Sequence, residues 1–99
     1  METQTLDTQP IFINIPCPTR DEAIKLCSSL LDQELCGTAK IHDHVHLMYK
    51  DDGVQGDDIV LMTLKSTRSH LEKIHEFILN NHSWGTPCIE VVPILSDMC

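Results

Sequence analysis

Ile59-Val60-Leu61-Met62-Thr63-Leu64-Lys65 is a nearly unbroken apolar run of strand length. A strand with one wet face alternates apolar and polar residues, so a run like this is expected of a central strand covered on at least one side. Just upstream, Ile41, Asp43, Val45 and Leu47 alternate with His42, His44, His46 and Met48. That period of two predicts a half-buried strand presenting the histidines on one face. Between the two runs, Lys50-Asp51-Asp52-Gly53-Val54-Gln55-Gly56-Asp57-Asp58 reads as a turn-rich acidic connection, so the pair is expected to form a hairpin.

Working outward, Ile11-Phe12-Ile13-Asn14-Ile15 is another short β-rich run, ended by Pro16 and Pro18. Thr19 with Glu22 three residues on makes a capping box. Ala23, Cys27, Leu30 and Leu31 then recur at helical spacing, and Gly37 is the expected stop. After the central run, Ser69 with Glu72 makes a second capping box, and Leu71, Ile74, Phe77 and Ile78 form a second helical stripe as far as Asn80. Residues 81–87 read as a loop, and Cys88-Ile89-Glu90-Val91-Val92-Pro93-Ile94 as a last short strand, with Pro93 favouring an edge or strand end. The order β-α-β-β-α-β with right-handed crossovers predicts an α+β, ferredoxin-like sandwich. Its first and third strands lie in the centre of an antiparallel sheet, with both helices on one face. The other face is then left open, and oligomerisation is expected to cover it.

Ninety-nine residues make one domain, expected over 11–99 behind a disordered tail over 1–10. Fifteen acidic residues against seven basic ones give a formal charge of −8, which repels phosphate backbones and argues against nucleic acid or anionic membranes as partners. The first ten residues are polar and acidic, unlike a secretory signal, and no apolar stretch approaches a membrane span. Cys17, Cys27, Cys36, Cys88 and Cys99 form no C-x-x-C pair, so reduced thiols in a cytoplasmic compartment are expected.

Several stretches meet in one resemblance that covers roughly residues 11–94. His82-Ser83-Trp84-Gly85-Thr86-Pro87-Cys88 resembles the His-Pro-Tyr-Glu-x-Pro-Glu loop of the CutA divalent-cation-tolerance family. Leu64-Lys65-Ser66-Thr67 is similar to that family's Leu-Lys-Thr stretch, and Cys17-Pro18-Thr19 leads into the first helix as it does there. A weaker likeness joins Leu35-Cys36-Gly37-Thr38-Ala39 to the family's Leu-Ala-Ala-Cys-Val. The chain also departs from the pattern. Thr38 stands where the family carries a Cys, Met48 and Lys50 replace a Tyr and a Trp, Ser83 and Trp84 replace the loop's Pro and Tyr, and Cys88 replaces its closing Glu. The family's C-terminal segment beyond the fourth strand is expected to be missing or very short. The resemblance implies a non-enzymatic homotrimer linked to tolerance of copper and other divalent ions.

Cys17 and His82 are the metal-ligand pair the resemblance supports best, with Cys88 as a third candidate, since a soft thiolate beside an imidazole suits copper. The alternative is a loop histidine holding backbone carbonyls beside two partly buried thiols. His42, His44 and His46 are secondary metal candidates, against the plainer reading of a polar strand face. Trp84 is the expected interface aromatic, or else a plug from loop to core. No nucleophile motif or phosphate-binding glycine loop accompanies any of these residues, so catalysis is not expected. The competing function is a trimeric structural or regulatory scaffold without metal, shaped like the nitrogen-regulatory PII trimers, whose open clefts would engage a protein or a small ligand.

Overall fold

A computed structural model describes residues 7–98. Strands β1 (Pro10–Cys17), β2 (Thr38–Lys50), β3 (Val54–Thr67) and β4 (Glu90–Pro93) alternate with helices α1 (Arg20–Asp32) and α2 (Leu71–Asn81), the latter entered through a short 3-10 turn over Arg68–His70. The sheet order is β2-β3-β1-β4, and every neighbouring pair is antiparallel. This is the ferredoxin-like α+β fold expected from the sequence, with the first and third strands central.

Alternation along the central strands builds the core. Ile11, Ile13, Ile15 and Cys17 point one way, opposite Ser66, Leu64, Met62 and Val60 in the β1–β3 register. That face meets Ala23, Leu26, Cys27 and Leu30 of α1 and Ile74 and Ile78 of α2 in one buried cluster, so both helices cover the same side. Each such aliphatic side chain contributes roughly 1.5–3 kcal/mol on full burial. The opposite face carries Phe12, Asn14, Leu61, Thr63 and Lys65, all only half-buried. There Thr63 donates to Asn14 at 2.8 Å, and the Lys40 ammonium lies 5.8 Å from the Phe12 ring centre.

Element ends differ from the sequence reading for identifiable reasons. Helix α1 ends at Asp32, and its stop is Glu34 at φ 58°, not Gly37. Glu34 N–H bonds Leu31 O and Leu35 N–H bonds Leu30 O, both at 3.0 Å, the paired pattern of a Schellman close. Gly37 instead starts the return strand by donating to Lys65 O at 2.9 Å. A left-handed non-glycine residue is strained by about 1–2 kcal/mol, so Glu34→Gly is expected to raise the denaturant midpoint, by up to about 1 kcal/mol in unfolding free energy once the added chain entropy of glycine is subtracted. An unchanged or lowered midpoint would mean that Glu34 carries no strain.

The second capping box does not form. Ser69 lies inside the 3-10 turn, its hydroxyl is 2.8 Å from that of Thr67, and the residue preceding α2, His70, makes no side-chain cap bond. Residues 54–58, read as part of a connection, belong to β3, and the turn is confined to Asp51-Asp52-Gly53, where Asp52 and Gly53 take positive φ. Cross-strand polar pairs line this outer ribbon: Tyr49 donates to Asp57 at 3.0 Å and His46 Nδ1 lies 2.8 Å from Asp58. The ribbon extends the molecule to 47 × 27 × 25 Å.

The tail expected over 1–10 lies, for its first six residues, outside the described residues. Its end is tied in: the Gln9 side chain donates to Ile94 O, Arg68 N–H donates to Gln9 O, and Pro10 already pairs with Thr67.

Candidate metal centre

Three elements converge where β1 ends. Pro16 can sit in a central strand because β4 stops short, its last pairing being Glu90 with Asn14. The N and C=O of one strand residue point the same way, so the side on which Pro16 lacks a donor is also the side on which its carbonyl is free. That carbonyl accepts from His82 Nε2 at 2.7 Å. His82 follows the last turn of α2, its side chain is fully buried, and its backbone N–H closes the helix on Ile78 O.

Nε2 must carry the ring proton to donate to Pro16 O, which leaves the lone pair on Nδ1. Nδ1 accepts the Trp84 N–H at 3.1 Å and lies 3.5 Å from Glu22 Oε2. Glu22 reaches this point because of its place in α1. Thr19 accepts from Glu22 N–H at 3.2 Å, as the first capping box predicts. The Glu22 carboxylate, however, accepts the Ser83 N–H of the loop at 3.1 Å. A residue in the third helical position points back over the helix start, and here that brings it beside Cys17.

Cys17, Glu22 and His82 each offer one ligand atom, and these atoms all lie within 4.8 Å of one another. Among the described residues this is the one His/Cys/Asp/Glu group so arranged. Cys17 is fully buried and its thiol donates to Met62 Sδ at 3.4 Å. Burial, with Glu22 and Cys27 adding to it, pushes the Cys17 thiol up to about 12, and burial with Cys36 nearby pushes Cys27 up to about 11. Burial also raises the Cys36 thiol.

The donor set of sulfur, carboxylate oxygen and imidazole nitrogen fits zinc or copper. Ligands at bond lengths of about 2.0–2.3 Å around a tetrahedral ion stand roughly 3.3–3.8 Å apart, so a small closing movement suffices. Cys17 would bind as thiolate and therefore release its proton, His82 would present Nδ1, and Glu22, partly exposed at the mouth, would supply charge.

The other sequence candidates do not join this group. Cys88 is exposed in the coil before β4 and is not a member of the Cys17–Glu22–His82 group. The row of His42, His44 and His46 is broken by a bulge. His42 pairs with Leu61 and Val45 with Ile59, so one extra residue is inserted between them, and His44 takes φ 59°. Past the bulge Val45 occupies the face of His42, and His46 falls on the opposite one. An ion pair of 2.6 Å from Arg20 to Asp43 pins the bulge to α1. Trp84 is 47% exposed, with its ring tilted 48° to that of His82 at 5.2 Å. Glu22 was legible only as a cap. The signal that could have found it is the short spacing Cys17-Pro18-Thr19-Arg20-Asp21-Glu22, which folds a first-turn carboxylate back onto the strand end.

Residues 11–97 match the family model of the CutA1 divalent ion tolerance protein. The chloroplastic protein CutA of Arabidopsis thaliana is 27% identical over 95 residues, 95% of this chain and 52% of its own length. The divalent-cation tolerance protein CutA of Archaeoglobus fulgidus is 24% identical over 84% of this chain and 81% of its own. The chain thus spans about half the length of the plant relatives it matches. Among solved structures, CutA1 from Oryza sativa superposes with a TM-score of 0.84 at 22% identity, covering 94% of this chain and 86% of that one. CutA1 from the psychrotrophic bacterium Shewanella sp. SIB1 gives 0.85 at 20%, covering 93% and 87%. At such identities these superpositions speak to the fold, while the family model spans nearly the whole domain, and by that match the chain belongs to the CutA1 divalent ion tolerance family.

Proposed function

We propose that this protein is a non-enzymatic metal-binding member of its family, holding copper or a similar ion at Cys17 and His82, with Glu22 in place of the expected Cys88. The observation that carries the reading is the convergence of three ligand atoms from β1, α1 and the loop after α2. One of them is a buried thiol with no disulfide partner. The assembly that fits is a homotrimer in the cytoplasm. In its support, the outer ribbon exposes Leu47, Met48, Tyr49 and Val54, and Trp84 in the loop after α2 and Val92 on β4 are exposed as well. No helix among the described residues is long and apolar enough to cross a membrane.

The test is equilibrium dialysis against copper, with mass by light scattering in parallel. The wild-type chain is expected to bind one copper per protomer, and the Cys17→Ser, His82→Ala double variant to lose it. The metal-free chain is expected at about three times the 11.2 kDa protomer mass. Equal binding by both proteins would remove the site, and a monomer would remove the assembly. Binding should strengthen about tenfold per pH unit near neutrality, because one thiol proton is released for each ion bound.

A second reading has its own observation. Both His82 ring nitrogens already have backbone partners, and the Cys17 thiol is held protonated at neutral pH. The trio then acts as a staple between loop and strand in a metal-free scaffold. Unchanged dialysis together with a trimeric mass would favour it.

A further inference from the structure

We infer that Met62 completes this centre as a thioether ligand, and that the ion so favoured is copper in its monovalent state. The inference rests on the metal reading above and assigns it a fourth donor and an oxidation state.

Met62 lies on β3, where it pairs with Ile15 while Cys17 pairs with Val60. The two sulfur residues are therefore diagonal neighbours on the core face, within reach of long side chains. Both are fully buried, and their sulfurs stand 3.4 Å apart. Two sulfurs bound to one ion at about 2.3 Å in a tetrahedral shell stand roughly 3.8 Å apart. The pair thus stands within a few tenths of an ångström of the spacing needed to share an ion. The Cys17 thiol proton, which now points at Met62 Sδ, is the one that an ion shared by the two sulfurs displaces. Monovalent copper replaces that proton, which leaves to water, and no electron moves.

The chemistry of the donors selects the ion. Zinc is held by thiolate, imidazole and carboxylate, and thioethers are not among its usual ligands. Thiolate and thioether together favour soft monovalent copper. Met62 is fully enclosed by apolar neighbours, where a leucine would fill a similar volume, so packing alone does not require sulfur at this position. For the same reason Met62→Leu removes the donor with little change in the core.

The experiment is anaerobic competition for monovalent copper against a chromophoric chelator, using the full chain, Met62→Leu and Cys17→Ser, with zinc titrated in parallel. Loss of even an outer partner of a metal ligand costs about 10–100-fold in affinity, and Met62→Leu is expected to weaken monovalent copper by at least that much while leaving zinc unchanged. Cys17→Ser is expected to weaken both ions. An unchanged copper affinity in Met62→Leu, or an equal loss for both ions, overturns the inference while the Cys17 site stands. Binding no tighter than that of Cys17→Ser, for either ion, overturns the metal reading as well. X-ray absorption at the copper edge on selenomethionine-labelled protein gives a second readout that survives any folding defect of the variant. A copper–selenium distance is expected, and copper–sulfur scattering without it contradicts the role of Met62.

Discussion

His82→Ala is expected to lower the unfolding free energy by about 2–4 kcal/mol, the largest effect of any single change outside the aliphatic core. The imidazole receives no help from solvent, since its side chain is fully buried. Removing it strips Pro16 O of its donor and Trp84 N–H of its acceptor. A polar group left unpaired costs about 1–3 kcal/mol when buried, less for the Trp84 N–H of a half-exposed residue, and the vacated volume adds a cavity term. The Glu22 contact with Ser83 N–H then remains as a side-chain tie to the loop. His82→Gln, which can donate to the carbonyl through its amide, is expected to recover part of the loss. Denaturant titration reads both, and a change below about 1 kcal/mol for His82→Ala would mean that water replaces the ring.

The second large effect is alkaline destabilisation. The folded-state Cys17 thiol is raised to about 12 and Cys27 to about 11, from an ordinary value of 9.0. Below 9.0 both folded and unfolded chains keep these protons, so stability does not depend on them. Above it the unfolded chain ionises first and binds fewer protons, so stability falls as pH rises toward the folded values. The slope is about 1.4 kcal/mol per pH unit for each thiol. Unfolding free energy measured from pH 8 to 11 is therefore expected to be flat at first and then to drop steeply, and Cys17→Ala should flatten the drop. A profile level to pH 11 would mean that these thiols ionise in place. The same burial bears on metal binding, because the ion must displace a proton that Cys17 holds tightly.

The strands and helices were readable because their signals are local. Ile11, Ile13 and Ile15 alternate, Ala23, Leu26, Cys27 and Leu30 stripe a helix, and residues 59–64 mark a covered central strand. What was misread depended on a choice between neighbours. Glycine at 37 outranks glutamate at 34 as a stop by propensity, yet the Leu30–Leu35 closure places the left-handed residue at Glu34. Alternation at 41–48 predicted one row of histidines, but one bulge residue reverses the faces beyond it. Asp57 and Asp58 read as turn residues because the partners that hold them in a strand, Tyr49 and His46, lie on the opposite arm of the hairpin.

Half of the candidate centre was legible and half was not. Cys17 and His82 were picked out by resemblance, and the structure brings their ligand atoms together. Glu22 was hidden by its second role at the helix start. Met62 was hidden because a buried methionine in an apolar run looks like any core residue. Cys88 stands in the position of a family glutamate, whereas the carboxylate found beside Cys17 and His82 is that of Glu22, from another element.

The most direct measurement is anomalous scattering at the copper edge from a crystal of the full chain grown with copper. A single strong peak per protomer is expected between Cys17 Sγ, Glu22 and His82 Nδ1. Peaks confined to the exposed carboxylates and histidines of the outer ribbon, with His82 Nδ1 still accepting the Trp84 N–H, would contradict it and leave the trio as a staple of the fold.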